Sequence, residues 1–415
     1  MNKKPVVLMI LSLALAGTGK AETPLTLEEC YKRALIQSET IAIDQEKLAE
    51  TEAEFKQALG TALPSLDFFS VDKRQENNAY SSSFNPNYAP QRNFQINQPI
   101  FSGFKEFAAM SGAKALKKQR THEWVRAEQL LLSDVSDAFY SLQEQRNDLE
   151  ILKNIQGALQ DRIGDLKHWV EIGRSRSSEE SAARAQLEQV NAQIEQTLGQ
   201  ETTARQILEF LTGKPVEEIV DSTQSVSALS PVESYLGKAH LRPDVQAAEE
   251  AERVAEKQVT INKAGYWPFA SLQGDYYTQR YGIYDGIDWD ASLLVDVPIF
   301  KGGQTAGAVD QAKAQLREAQ LQKQLAQRSS EQDIRDAYAQ IDAILKQKSP
   351  LENAFEAAQE SYRGQLEDYR QSRANNIDVL ESLQTLENTR RDYVRAQSEI
   401  KRLYWRLMVA TGETL

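Results

Sequence analysis

Two stretches of this chain hold a helical rhythm for longer than a globular domain needs. From Lys105 to Ile172, the positions Val135, Ala138, Leu142, Leu149, Leu152, Leu159, Ile163, Leu166 and Val170 recur mostly at three- and four-residue steps. That spacing predicts one apolar seam along one helix. Gln145 and Gln156 fall on the same seam, so it is weaker than a zipper and suits a helix with neighbours on both sides. A second such stretch runs from Thr305 to Gln371. At 1.5 Å rise per residue each would span about 100 Å. A rod of that length serves a tunnel or a spacer. Each is followed by a short polar break and a return helix, Glu179 to Leu211 and Asp378 to Val409. Shorter helices are expected ahead of them, over Thr26–Gly60 and Asp244–Lys263.

Between the short and the long helices the period changes. Leu63–Glu76, Gln91–Phe101, Trp267–Arg280 and Ile287–Phe300 read as strands, with Phe94 and Ile96 alternating against Gln95 and Asn97. Aromatics gather in these runs at Phe68, Phe69, Tyr276, Tyr277, Tyr281, Tyr284 and Trp289. About ten residues of weak alternation, with aromatics and polar loops, is the pattern of an outer-membrane strand. Standing alone, the runs would suit a soluble hairpin better. Four strands cannot close a membrane barrel, and lipid tolerates no open edge, so several chains would have to pool their strands.

The pattern occurs twice. A shift of 199 residues lays Pro99-Ile100-Phe101 on Pro298-Ile299-Phe300, Gly103 on Gly302, and Asp137-Ala138-Phe139 on Asp336-Ala337-Tyr338. Upstream the shift becomes 204, laying Leu63-Pro64 on Trp267-Pro268. The expected organisation is therefore a first repeat over 22–213 with a hairpin at 64–101, an irregular connecting segment at 214–243, and a second repeat over 244–415 with a hairpin at 268–300. In each copy Pro-Ile-Phe-x-Gly marks a strand-to-helix handover. Pro99 and Pro298 are expected to end strand pairing, the Ile-Phe to plug the junction, and Gly103 and Gly302 to allow the redirection.

Composition adds a compartment. The opening "MNKKPVVLMILSLALAGTGKAETP" has Lys3 and Lys4 ahead of an apolar core and then small residues, which predicts a signal peptide over residues 1–21. The full chain carries 48 basic and 60 acidic side chains; without the three lysines of the leader it stands at 45 against 60, near −15. Such a chain is a poor nucleic-acid ligand. Its one cysteine, Cys30, excludes an intrachain disulfide, and its context is not that of a lipid anchor. No apolar run is long enough for a transmembrane helix.

Catalytic chemistry finds little support. His122, His168 and His240 match no metal spacing, no nucleophile motif such as G-x-S-x-G occurs, and Gly302-Gly303 lacks the lysine of a phosphate loop. No enzyme and no cofactor are expected. Asp378 and Glu381 share a helix face. They read either as an acidic functional pair or as helix-start chemistry, with Asn375 as cap and Asp378 in the first turn.

The duplicated helix–hairpin–helix plan resembles a known family. So do "PIFSG" and "PIFKGG", "IGRSRSSEESAARAQLE" (172–188), "YRQSRANNIDVLESLQTLENTRRDY" (369–393), and the closing "LTG" and "ATG". All are similar to the TolC-type outer membrane factors, over the whole mature chain. The resemblance implies an α+β membrane protein working as a homotrimer. Its protomers would build a twelve-stranded barrel in outer-membrane lipid, joined to a long periplasmic helical barrel. A periplasmic adaptor would couple it to an inner-membrane transporter, in drug efflux or type I secretion. By the same resemblance Asp378 and Glu381 would ring the periplasmic entrance. Tyr369 and Glu179 would latch it, and Arg373 sits one residue from the family's basic position. The chain has Ser372 where the family shows glycine; Gly173 is as expected. The competing readings are a periplasmic coiled-coil adaptor or scaffold and an exported hydrolase.

Overall fold

The computed structural model describes residues 24–76, 87–223, 226–282 and 285–415; the expected leader and the loop at 77–86 lie outside the described residues. The elements run α1 (Leu27–Gln37), α2 (Glu39–Gly60), β1 (Ser65–Arg74), β2 (Tyr88–Phe101), α3 (Lys105–Glu171), α4 (Ser177–Thr212), α5 (Val232–Leu236), α6 (Pro243–Lys263), β3 (Phe269–Gln279), β4 (Trp289–Asp296), α7 (Gln304–Arg370) and α8 (Asn376–Ala410). The two long helices, α3 and α7, have 67 residues each, about 100 Å of rod.

The seam is real, with one exchange. Seven of the nine α3 positions expected on it are buried, while Ile163 and Val170 are only partly so. Beside Ile163, Arg162 is the more deeply buried, at 6% exposure. Leu149, Leu152, Ile155 and Leu159 of α3 pack on Val190 and Ile194 of α4 and on Leu383 of α8. Ile334, Ala337 and Ile341 of α7 pack on Leu403 and Leu407 of α8.

The helix expected over Thr26–Gly60 is two helices. Thr26 caps α1, its Oγ accepting from the Glu29 N–H (3.3 Å) while the Glu29 carboxylate accepts from the Thr26 N–H (2.9 Å). Ser38 then adopts an extended conformation and serves both helices. Its N–H donates to the Ala34 carbonyl at 2.8 Å, and its Oγ accepts from the Ile41 N–H at 3.4 Å. The break lets α1 turn Leu27, Cys30, Tyr31 and Ala34 into the core beside Phe139 and Leu142. Cys30 is thus a packing residue.

The four strands form one antiparallel sheet in sequence order. Its registers carry the duplication: Ser65 opposite Asn97 maps onto Phe269 opposite Asp296, and Phe68 opposite Phe94 onto Leu272 opposite Leu293. The sheet is two-sided. Leu66, Phe68, Phe94, Ile96, Leu272, Tyr276, Trp289, Leu293 and Val295 share one face and are all exposed. The other face gathers Asn93, Gln95, Asn97, Ser271, Gln273 and Asp275. There the Asp275 carboxylate accepts from the amides of Asn93 (2.6 Å), Gln95 (3.1 Å) and Gln273 (3.0 Å). Among the described residues both edges, β1 and β4, are unpaired.

Pro99 does not end its strand. β2 continues to Phe101, and Pro99 stands opposite Ser271, with a register shift just beyond it. β1 has already left β2 at Asn97, so the missing N–H of Pro99 faces a side with no ladder to interrupt. In the second copy β4 does stop ahead of Pro298, at Asp296.

Candidate functional site

Two regions carry the residues singled out from sequence: the strand–helix junctions and the far tips of the helical hairpins. At the junctions each copy reverses through two consecutive left-handed residues. Gly103 (φ 68°) and Phe104 (φ 64°) precede α3; Gly302 (φ 60°) and Gly303 (φ 83°) precede α7. Gly103 is also sterically required, because a Cβ there would lie 2.9 Å from the Trp267 Cβ and 3.0 Å from the Ala264 backbone. Of the Ile-Phe pair expected to plug the first junction, Phe101 packs edge-on to Phe104 (5.4 Å) and Trp267 (6.5 Å), whereas Ile100 is exposed. The second plug is not formed within the chain: Ile299 and Phe300 are 95% and 87% exposed.

At the tips, α3 and α7 end in matching turns. Gly173 (φ 72°) and Ser372 (φ 59°) each take the left-handed position. In the first turn Gly173 N–H donates to Val170 O (3.1 Å) and Arg174 N–H to Trp169 O (2.7 Å). In the second, Ser372 N–H donates to Tyr369 O (3.0 Å) and Arg373 N–H to Asp368 O (2.8 Å). This is the paired bonding of a Schellman ending. Serine therefore does the glycine's work in the second copy, at some backbone strain.

The structure brings Tyr369 and Glu179 together: the Tyr369 hydroxyl donates to the Glu179 carboxylate at 2.9 Å, joining the tip of α7 to the start of α4. Ser175 Oγ donates to the same carboxylate oxygen at 2.9 Å. Sequence reasoning missed the centre of this cluster. The Arg162 guanidinium lies 3.8 Å over the Tyr369 ring and 5.4 Å from that of Trp169. Its Nε donates to Asn376 Oδ1 (3.1 Å), and Asn376 Nδ2 donates to the Glu179 carbonyl (3.2 Å). Burial, before any charge effect, pushes the Tyr369 hydroxyl above its usual pKa and the Arg162 guanidinium below its own. The available signal was an arginine three residues after Leu159 and four before Leu166, on the seam itself.

Arg373 does not join this cluster within the chain. Its side chain is exposed, and its backbone closes the turn. Asp378 lies in the first turn of α8, where its carboxylate accepts from the Asn375 N–H at 2.9 Å in a capping box. Glu381, one turn along, is exposed. Among the described residues no group of carboxylates, histidines and cysteine has the arrangement of a metal site.

Comparison with known proteins agrees with this geometry. The family model described as "Outer membrane efflux protein" matches residues 30–214 and 239–413. The outer membrane efflux protein BepC of Brucella suis biovar 1 is 22% identical over 77% of this chain and 71% of its own length. The cation efflux system protein CusC of Escherichia coli (strain K12) is 22% identical over 88% of this chain and 83% of its own. In structure, CusC superposes with a TM-score of 0.83 at 16% identity, covering 94% of this chain and 92% of that one. The outer membrane protein VceC of Vibrio cholerae superposes at 0.81 with 20% identity, covering 93% and 96%.

Proposed function

Because this chain belongs to the outer membrane efflux protein family, we propose that three copies form the exit duct of a tripartite efflux pump or type I secretion system. A periplasmic adaptor and an inner-membrane transporter would complete the pathway. The family is one of channels in the outer membrane, with their helices in the periplasm. One observation supports this reading above others: a sheet with an apolar exposed face, a polar face and two unpaired edges, set at the end of two rods of about 100 Å. Lipid accepts such a sheet only in a closed barrel, and three copies supply twelve strands. A soluble adaptor or scaffold would need neither the exposed apolar face nor the open edges.

The same reading gives the tips a role. Three copies would bring Asp378 and Glu381 into rings of carboxylates at the periplasmic entrance, which repel anions and attract cations. The bond from Tyr369 to Glu179 would hold the entrance closed, with exposed Arg373 placed to reach a neighbouring copy. A hydrogen bond to a carboxylate contributes about 1.5–3 kcal/mol, a latch that docking of an adaptor can break. The test is direct. The protein should fractionate with outer membranes, scatter light as a trimer in mild detergent, and conduct ions in planar bilayers. A monomer without conductance overturns the reading.

A further inference from the structure

The two long rods differ at one point. Pro350 lies inside α7, exposed, and has no N–H to offer the Lys346 carbonyl, so one backbone bond of the helix is missing there. Long helices kink where such a bond is lost. α3 contains no proline, and the shift of 199 lays Pro350 on Ile151. Only the second hairpin therefore carries a weak point.

One turn from Ile151, at the same level, Asp148 ties the two hairpins together. Its buried carboxylate takes Arg391 (3.1 Å) and Arg395 (2.6 Å) of α8. A buried ion pair tolerates little displacement, because moving one partner away leaves an uncompensated charge. Just tipward of Pro350 the second hairpin is bound to itself. The Tyr393 hydroxyl of α8 donates to the Glu352 carboxylate of α7 at 2.8 Å, and the Tyr393 ring stacks on Phe355 at 5.9 Å. We propose that the α7–α8 hairpin is hinged at this level, with Pro350 as the flexible point and Asp148 as the anchor, so that only its tipward arm moves when the entrance opens. This rests on the gated entrance proposed above and gives that gate its pivot.

The contacts on either side of this level differ in kind. Toward the junctions, Val409 of α8 belongs to the core that holds Phe139 and Leu142 of α3, and Ile334 and Ile341 of α7 pack with Leu403 and Leu407 of α8. That end is a fixed base. Toward the tip, Leu383 of α8 rests among Leu152, Ile155 and Leu159 of α3. Such apolar contacts are non-directional, and packed helices can slide over them. From Pro350 to Arg370 the arm is about 30 Å long. A change of about 10° in the kink carries its tip about 5 Å. That is enough to part Tyr369 from Glu179, which are joined at 2.9 Å.

The experiment is thiol labelling of the full chain in detergent, with single-channel conductance recorded in parallel. Cys30 is silent, because burial pushes its thiol up to about 11. Leu383→Cys probes the arm and Val409→Cys the base; both positions are buried. Where Leu383→Cys fails to fold, partly buried Leu380→Cys takes its place. Tyr369→Phe releases the latch, so it should speed labelling at the arm by about tenfold and leave the base unchanged. Faster labelling at both positions, or at neither in a channel whose conductance has risen, overturns the hinge and leaves the gate standing. No change in labelling or conductance overturns the gate and the hinge together. Pro350→Ala restores the missing bond without adding bulk. In the Tyr369→Phe background it should cut the gain in conductance by about fivefold, the worth of one backbone hydrogen bond. An undiminished gain removes Pro350 as the pivot. Asp148→Asn in the same background should let the base label faster as well; an unchanged base removes Asp148 as the anchor.

Discussion

The Arg162 guanidinium lies 3.8 Å above the ring of Tyr369, tying the far end of one long helix to the far end of the other. Tyr369 therefore makes two separable contacts, a ring face for the cation and a hydroxyl for Glu179. Tyr369→Phe removes only the second, a loss of about 1.5–3 kcal/mol from the latched form. Tyr369→Leu removes both, a further loss of about 2 kcal/mol for a desolvated cation–π contact. Single-channel recordings should show conductance or open time rising from parent to Phe to Leu. Identical traces for all three would place the closed constriction elsewhere.

Asp378 has a structural task besides any electrostatic one, since its carboxylate closes the capping box at the start of α8. Asp378→Asn with Glu381→Gln keeps polar side chains there but removes every charge of the proposed rings. The reversal potential in a salt gradient should move toward zero. Asp378→Ala alone should in addition lose about 1 kcal/mol of stability through the cap. A drop in Tm with selectivity intact would make Asp378 a cap and nothing more.

Gly173 and Ser372 occupy the same left-handed position in the two tip turns. A side chain pays for that conformation with about 1 kcal/mol or more. Ser372→Gly should therefore raise stability by about 1 kcal/mol, and Gly173→Ala should lower it by a similar amount, although a Cβ at Gly173 meets no atom within 4 Å. Thermal melts of both variants in detergent decide this. Opposite signs would mean that the serine makes a compensating contact.

The duplicated plan was legible because it rests on local signals: a period near 3.6 over Lys105–Ile172, a period near 2 at Phe94–Asn97, and glycines where the chain reverses. The seam reading failed by one residue at Ile163, because periodicity ranks positions by hydrophobicity. An arginine laid against the Tyr369 ring, which itself packs 5.3 Å from that of Trp169, becomes a core residue only once α7 is in place. Pro99 misled for a related reason: its missing N–H matters only on a side that carries a partner, and that depends on where β1 ends. The break at Ser38 was readable in principle, since serine followed by Glu39 is a helix start, but the apolar spacing runs through it. Tyr369 and Glu179 come from positions 190 apart, and only the resemblance to a family connected them.

The last prediction concerns charge inside the helical wall. Asp148, 1% exposed on α3, accepts from Arg391 (3.1 Å) and Arg395 (2.6 Å) of α8. Glu387, also 1% exposed, lies 3.9 Å from Arg391. Removing Asp148 would leave Arg391 with only Glu387 at 3.9 Å and Arg395 with only Glu144 at 3.5 Å, so Asp148→Ala should be destabilising by less than the roughly 3–5 kcal/mol of a buried charge left with no partner. Glu387 acts in the opposite sense. Burial is the main influence on it and raises its pKa above the ordinary 4.5, against the pull of Arg391. A raised acid binds its proton more tightly folded than unfolded. Its stabilising contribution is thus full below the unfolded value and declines as pH rises through the folded one. Glu387→Gln removes this titration. Denaturant midpoints measured from pH 4 upward should fall with a shallower slope in the variant than in the parent, in the window just above 4.5. Parallel curves would mean that Arg391 holds Glu387 ionised throughout, and that the network is pH-neutral.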